Sequence, residues 1–145
     1  MGIQMITKNK DKIISNKEKL RENYATPKPA SIAKVLKSLD HHCRDFIARS
    51  PFLILGTDGD VSPRGDYPGF VGVLDNKTIL IPDRSGNNRL DSFTNIISNP
   101  TVAIIFLIPG INETLRIRGK GEITVDQVLL EPYSLNGKIP SAGLI

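Results

Sequence analysis

The chain has 145 residues, 39% hydrophobic and 23% charged, enough apolar material for one soluble domain with its own core. The net charge of +4 sits in residues 1–40, with nine basic and four acidic side chains; residues 41–145 carry ten and eleven, which argues against a continuous nucleic-acid-binding surface. One cysteine and two adjacent histidines exclude a disulfide framework and a cysteine- or histidine-rich metal site, and no stretch approaches the 18 apolar residues of a membrane span.

Residues 1–28 read as a polar, basic N-terminal arm, and residues 29–145 as a single domain. Within the arm, residues 9–21 suggest a loose helix around Ile13, Ile14 and Leu20, ended by Pro27 and Pro29. The arm lacks the basic, apolar, small-residue order of a secretory signal, so a cytoplasmic location is expected.

Residues 31–49 carry the clearest helical pattern. Ile32, Val35, Leu36, Leu39, Cys43, Phe46 and Ile47 recur at spacings of three and four, Ser31 is the expected cap, and Pro51 ends the element. Cys43 lies on the apolar stripe and reads as a buried small hydrophobe; His41 and His42 fall on the polar side.

From Phe52 the pattern becomes that of strands. Residues 52–56 form a short apolar run that ends in the turn Thr57-Asp58-Gly59-Asp60. Residues 70–74 and 78–81 flank Asp75-Asn76-Lys77 as a hairpin. Leu90, Phe93, Ile96 and Ile97 mark a short helix over 89–98, closed by Asn99-Pro100. Residues 102–108 are continuous and β-branched, the pattern of a central strand buried on both faces. Residues 114–123 alternate Leu115, Ile117 and Gly119 with Arg116, Arg118 and Lys120, giving one charged face. Residues 126–130 suggest one helical turn, and 136–145 show no strong pattern. The absence of regular strand–helix–strand crossovers favours an antiparallel sheet rolled into a small barrel.

Phosphate loops, dinucleotide fingerprints and nucleophile elbows are missing, and no spacing demands a carboxylate pair. Arginines at element ends stand out instead. Arg64 lies in Ser62-Pro63-Arg64-Gly65-Asp66, Arg84 follows Ile81-Pro82-Asp83, and Arg89 opens the short helix after Gly86-Asn87-Asn88. Guanidinium groups and a helix start together supply the donors that a phosphomonoester needs, and Arg84, Asn88 and Arg89 are near enough in sequence to converge on one dianion. The competing reading is a set of surface arginines paired with Asp66, Asp83 and Asp91. Arg116 and Arg118 form a second cationic feature that an anionic ligand, a partner's carboxylates or solvent can meet.

In order and spacing, these motifs, with Asn99-Pro100 and Thr114-Leu115-Arg116-Ile117-Arg118-Gly119, resemble the pyridoxamine 5'-phosphate oxidase-related family of flavin-binding split barrels, over about residues 40–140. The resemblance implies an all-β chain with short flanking helices: a Greek-key, six-stranded antiparallel split barrel that forms a homodimer with two FMN sites at the interface. It implies that Arg64 and Gly65 line the isoalloxazine and ribityl side, and that Pro82, Asp83 and Arg84 follow the cofactor from the next strand. Asn88 and Arg89 would hold the phosphate. Thr114 and Arg116 would approach from the other subunit, Thr114 standing where vitamin-metabolising members have glutamine.

The family's C-terminal segment with its substrate-binding arginine and histidine does not follow Ile145, so vitamin B6 oxidation is not expected, and the barrel is expected to lack that strand and tail. The reading is an FMN-dependent oxidoreductase that passes a hydride from a small-molecule substrate to flavin, an arginine steadying the reduced ring. No side chain stands out in the sequence as an acid–base catalyst. A flavin-binding or cofactor-buffering protein without turnover is the alternative; other split-barrel relatives use a deazaflavin, haem or another bulky ligand. A barrel that binds another protein would have no cleft between Arg84 and Arg89.

Overall fold

A computed structural model of the protein describes residues 7–84, 86 and 88–145. The chain forms two compact units, Met1–Leu36 and Lys37–Ile145. The first contains a 3-10 turn (Lys10–Lys12) and two short helices, α1 (Lys17–Glu22) and α2 (Pro29–Ala33), none with a buried residue. Asn9 and Asn16 start the first two by accepting the amides of Asp11 and Lys19 at 3.0 and 2.8 Å. The loose helix expected over 9–21 is thus two pieces, each set by an asparagine cap.

The helix expected over 31–49 is also interrupted. The second unit opens with α3 (His41–Arg49), and residues 34–40 are not helical. Asp40, not Ser31, is its cap: its backbone is extended and its carboxylate accepts the Cys43 amide at 2.9 Å. Leu39 meanwhile donates its amide to the Asn76 carbonyl at 2.7 Å, a bond that extended backbone allows and a helix would consume. Capping and one tertiary hydrogen bond override the periodicity, leaving Ile32, Val35 and Leu36 exposed while Ile47 enters the core.

Among the described residues, eight strands form two antiparallel four-stranded sheets. The first has the order β2 (Asp60–Gly65), β1 (Phe52–Thr57), β5 (Thr101–Leu107), β6 (Leu115–Lys120); the second has β3 (Gly72–Val73), β4 (Ile79–Asp83), β8 (Ala142–Leu144), β7 (Ile123–Thr124). β1 turns into β2 through Asp58 and Gly59, both at positive φ. No strand is expected from sequence over β2, which contains Pro63. An edge strand tolerates proline, since one row of its amides needs no partner. β8 was missed because three residues, Ala142, Gly143 and Leu144, carry no period; pairing with β4 and β7 makes it central.

β5 lies between β1 and β6, but only alternate residues are buried, Val102, Ile104 and Phe106; Thr101 and Ala103 are exposed. The expected burial on both faces is therefore corrected to one. Between the sheets lie Leu53, Leu55, Ile81 and Phe106, joined by Ile47 from α3 and by Phe93 and Ile96 from α4 (Asp91–Ser98). Gly121 permits close approach there: a Cβ would stand 2.8 Å from Leu144 Cδ1 and 3.2 Å from Val102 Cγ1. The turn α5 (Gln127–Leu130) follows its cap Asp126 and buries Leu130. Among the described residues no helix is long and apolar enough to cross a membrane.

Phe106→Ala removes a fully buried ring from β5 and is expected to cost about 3–5 kcal/mol in denaturant unfolding. Asp40→Ala tests the cap. Accepting the Cys43 amide holds the Asp40 carboxyl below its ordinary value of 3.8 in the folded state. The carboxylate's contribution is therefore complete above that value and lost as pH falls through the lower, folded-state one. The variant is expected to melt a few degrees below the parent near neutral pH, and the gap to close in acid.

Candidate functional site

Strand alternation builds one wall of a cleft. Asp60, Ser62 and Arg64 share the inward face of β2, opposite β1 residues that point into the core. The end of β4 supplies Asp83 and Arg84, the following loop Gly86, Asn88 and Arg89, and the start of α4 Asp91, Ser92 and Phe93. Ser141, whose amide donates to the Asp83 carbonyl at 3.0 Å, closes the far side. The space enclosed is about 530 Å³, the size range of a cofactor site.

The arginines are held by carboxylates from the opposite element. Arg64 on β2 donates through Nη1 to Asp83 Oδ1 at 2.7 Å, and its guanidinium lies 5.3 Å from the centre of the Phe93 ring. Arg84, just after β4, donates through Nε to Asp66 Oδ2, just after β2, at 3.0 Å. Arg89 pairs with Asp91 at 2.9 Å, but here the side chains are 71% and 54% exposed. The pairings with Asp66, Asp83 and Asp91 thus coexist with a shared cleft. Two donors in it, Arg64 Nε and Arg84 Nη2, are buried without a hydrogen-bond partner among the described residues. A buried donor left unpaired costs about 1–3 kcal/mol, so the site is short of acceptors.

The loop after β4 adds a second anion-favouring feature. Asn88 and Leu90 have φ of 59° and 61°. Leu90, in the N-cap position of α4, offers no side-chain acceptor to the first-turn amides. The helix start therefore faces the cleft uncapped, beside Ser92, whose Oγ is 2.9 Å from Ser62 Oγ. Three arginines and three aspartates line the space, so the lining is electrically balanced.

Of the residues expected from sequence, Arg64, Asp83, Arg84, Asn88 and Arg89 are brought together here. Gly65 points to the opposite face of the sheet, where a Cβ would meet the Phe52 ring at 3.3 Å. Pro82 is buried in β4 opposite Gly143 and does not line this cleft. Thr114 is exposed just before β6, and Arg116, across from Ile105, is on the outward face; neither lines this cleft. Asn87 lies outside the described residues. Sequence reading missed Asp60, Ser62, Ser92, Phe93 and Ser141; period-two alternation from Arg64 would have found the first two.

Cys43 is half-buried on α3, its thiol pushed up by burial and by the Asp40 carboxylate, as a packing residue and not a redox nucleophile requires. Among the described residues no cluster of three or more His, Cys, Asp or Glu side chains has the arrangement to hold a metal.

Comparison with known proteins agrees with this architecture. The family model for pyridoxamine 5'-phosphate oxidase matches residues 39–139, and the chain belongs to that family. No curated protein sequence matches it. Solved structures share the fold, among them the following two. A variant of HupZ from Group A Streptococcus is 19% identical with a TM-score of 0.53, over 74% of this chain and 92% of that one. A protein from Lactobacillus delbrueckii, assigned as a pyridoxamine 5'-phosphate oxidase, is 15% identical with a TM-score of 0.55, over 77% and 89%.

The two kinds of ion pair should separate in unfolding experiments. Asp83→Ala strips the mostly buried Arg64 of its acceptor and is expected to cost about 1–3 kcal/mol, whereas Asp91→Ala, at an exposed pair, is expected to cost less than about 1 kcal/mol.

Proposed function

We propose that the protein is an FMN-binding oxidoreductase that takes a hydride from a small-molecule substrate. The observation that carries this reading is the pair of unpartnered guanidinium donors, Arg64 Nε and Arg84 Nη2, in a cleft that also holds Arg89 and an uncapped helix start. Arg84, Asn88, Arg89 and the first-turn amides of α4 hold the phosphate. Arg64, fixed by Asp83 and by the Phe93 ring, faces the isoalloxazine and stabilises negative charge on it. Bound flavin supplies a two-electron acceptor; the protein orients it, keeps water from one side and places positive charge near the ring.

Several further parts belong to this proposal. The two sheets close as a Greek-key split barrel. Arg116 and Arg64 point to opposite faces of one sheet, so a single chain does not bring both to one ligand. A homodimer through the outward face does, with Thr114 and Arg116 of one protomer reaching the other's flavin. That face supports such packing: Ile54, Val61, Pro63, Ala103 and Ile105 form an apolar surface across β1, β2 and β5. The dimer works in the cytoplasm.

The balanced charge of the lining favours a second reading, a protein that holds or buffers flavin without turnover. Purified full-length protein is expected to be a dimer by light scattering and to release FMN, identified by mass spectrometry, with absorbance near ~450 nm. Arg84→Ala and Arg89→Ala are each expected to weaken FMN binding by about tenfold. Repeated bleaching and reoxidation with a reduced substrate marks the enzyme; stoichiometric binding without turnover marks the holder. Failure of FMN to bind at micromolar concentration overturns both.

A further inference from the structure

We infer that Asp66, which does not itself line the cleft, is a positioning residue that aims Arg84 at the ligand's phosphate. This rests on the reading of the cleft as a phosphate-ester site. Arg84 leaves β4 as its ladder ends, and a long side chain at a strand end is ordinarily free to sample many rotamers. Here its Nε is tied to Asp66 Oδ2 at 3.0 Å, and the side chain is 24% exposed. Binding through Nε leaves both terminal nitrogens available, and Nη2 is the one buried without a partner. Asp66 thus occupies the one guanidinium edge that a ligand does not need.

Asp66 is itself immobilised, which a positioning group must be. Its Oδ1 accepts the Tyr67 amide at 2.8 Å, and its own amide donates to the Pro51 carbonyl at 3.1 Å. Three residues after Asp66, the Gly69 amide donates to the Ser50 carbonyl at 3.2 Å. Gly69, at φ +80°, passes so close to the end of α3 that a Cβ would be 2.8 Å from the Ala48 carbonyl oxygen. Ser50 is buried, and its hydroxyl lies 2.6 Å from the Leu107 carbonyl of β5. A continuous series of short bonds therefore runs from the central strand through Ser50 and the 66–69 loop to Asp66, and so to Arg84. A fixed carboxylate pre-orders the fork, and the ligand is spared that ordering cost.

Charge and geometry predict opposite signs, which makes the inference testable. A carboxylate near an anion site repels the anion, so if Asp66 were a mere counter-ion its removal would tighten binding. As a positioning group, its removal loosens it. FMN and riboflavin, which lacks the phosphate, are titrated into full-length parent, Asp66→Ala, Asp66→Asn, Arg84→Ala and the double variant. Asp66→Ala is expected to weaken FMN binding by about tenfold and leave riboflavin binding unchanged. Asp66→Asn, which keeps an acceptor for Nε, is expected to recover part of the loss, and it carries the test if the alanine variant does not fold. The double variant is expected to be no weaker than Arg84→Ala alone, because Asp66 acts only through that side chain. Tighter or unchanged FMN binding, parallel losses for both ligands, or additive losses overturn the inference. Absence of FMN binding by the parent overturns the site reading beneath it.

Discussion

Two reciprocal ion pairs join the sheets where the cleft opens. β2 of the first sheet carries Arg64 next to its last residue, Gly65, and is followed by Asp66; β4 of the second ends in Asp83 and is followed by Arg84. Each strand end gives its arginine to the other's aspartate, Arg64 to Asp83 and Arg84 to Asp66. The relative placement of the two strand ends, and with it the width of the cleft, follows from this exchange. Such pairs are poor sources of net stability, because desolvating four charged groups offsets most of their attraction. They fix geometry instead: a shift of β2 against β4 separates both pairs together.

The same exchange explains why the site carries unpartnered donors. Each guanidinium has five N–H groups, and one carboxylate contact leaves the others in need of acceptors. Arg89 is exposed to solvent, whereas Arg64 Nε and Arg84 Nη2 are buried. The structure supports this shortage through the rest of the domain: Phe93 contributes its buried face to the core and its ring to Arg64, and Ser92 is buried against Ser62. Packing that orders α4 therefore also orders the cleft.

How much of this was legible in the sequence depended on whether a signal was local. The Asp58-Gly59 turn, the Asp75-Asn76-Lys77 hairpin and α4 each have cues within a few residues, and each formed where expected. β2 and β8 did not announce themselves, because a proline on an edge strand and a three-residue central strand depend on neighbours far along the chain. The stripe over 31–49 misled for the same reason: the bond that favours an extended segment joins Leu39 to Asn76, far along the chain in the hairpin loop. At the site, the arginines and their carboxylates were visible as residue types. That Asp66 pairs with Arg84, while Asp83 beside it pairs with Arg64, depends on the crossing of two sheets and has no counterpart in spacing.

The balance of charge in the cleft constrains what kind of selectivity it can have. A site with a large positive excess attracts any anion, and salt screens that attraction efficiently. With three arginines against three aspartates there is little net field to draw an anion in from a distance. Discrimination must come at contact, from fixed N–H groups with missing acceptors and from an uncapped helix start, both short-ranged and directional. A free inorganic anion can satisfy some of these donors but spans only one end of a 530 Å³ space. A ligand that joins a phosphate to a polar planar body can engage Arg84, Arg89 and Arg64 at once, and the rigidity imposed by the crossed pairs favours that ligand over its separate pieces.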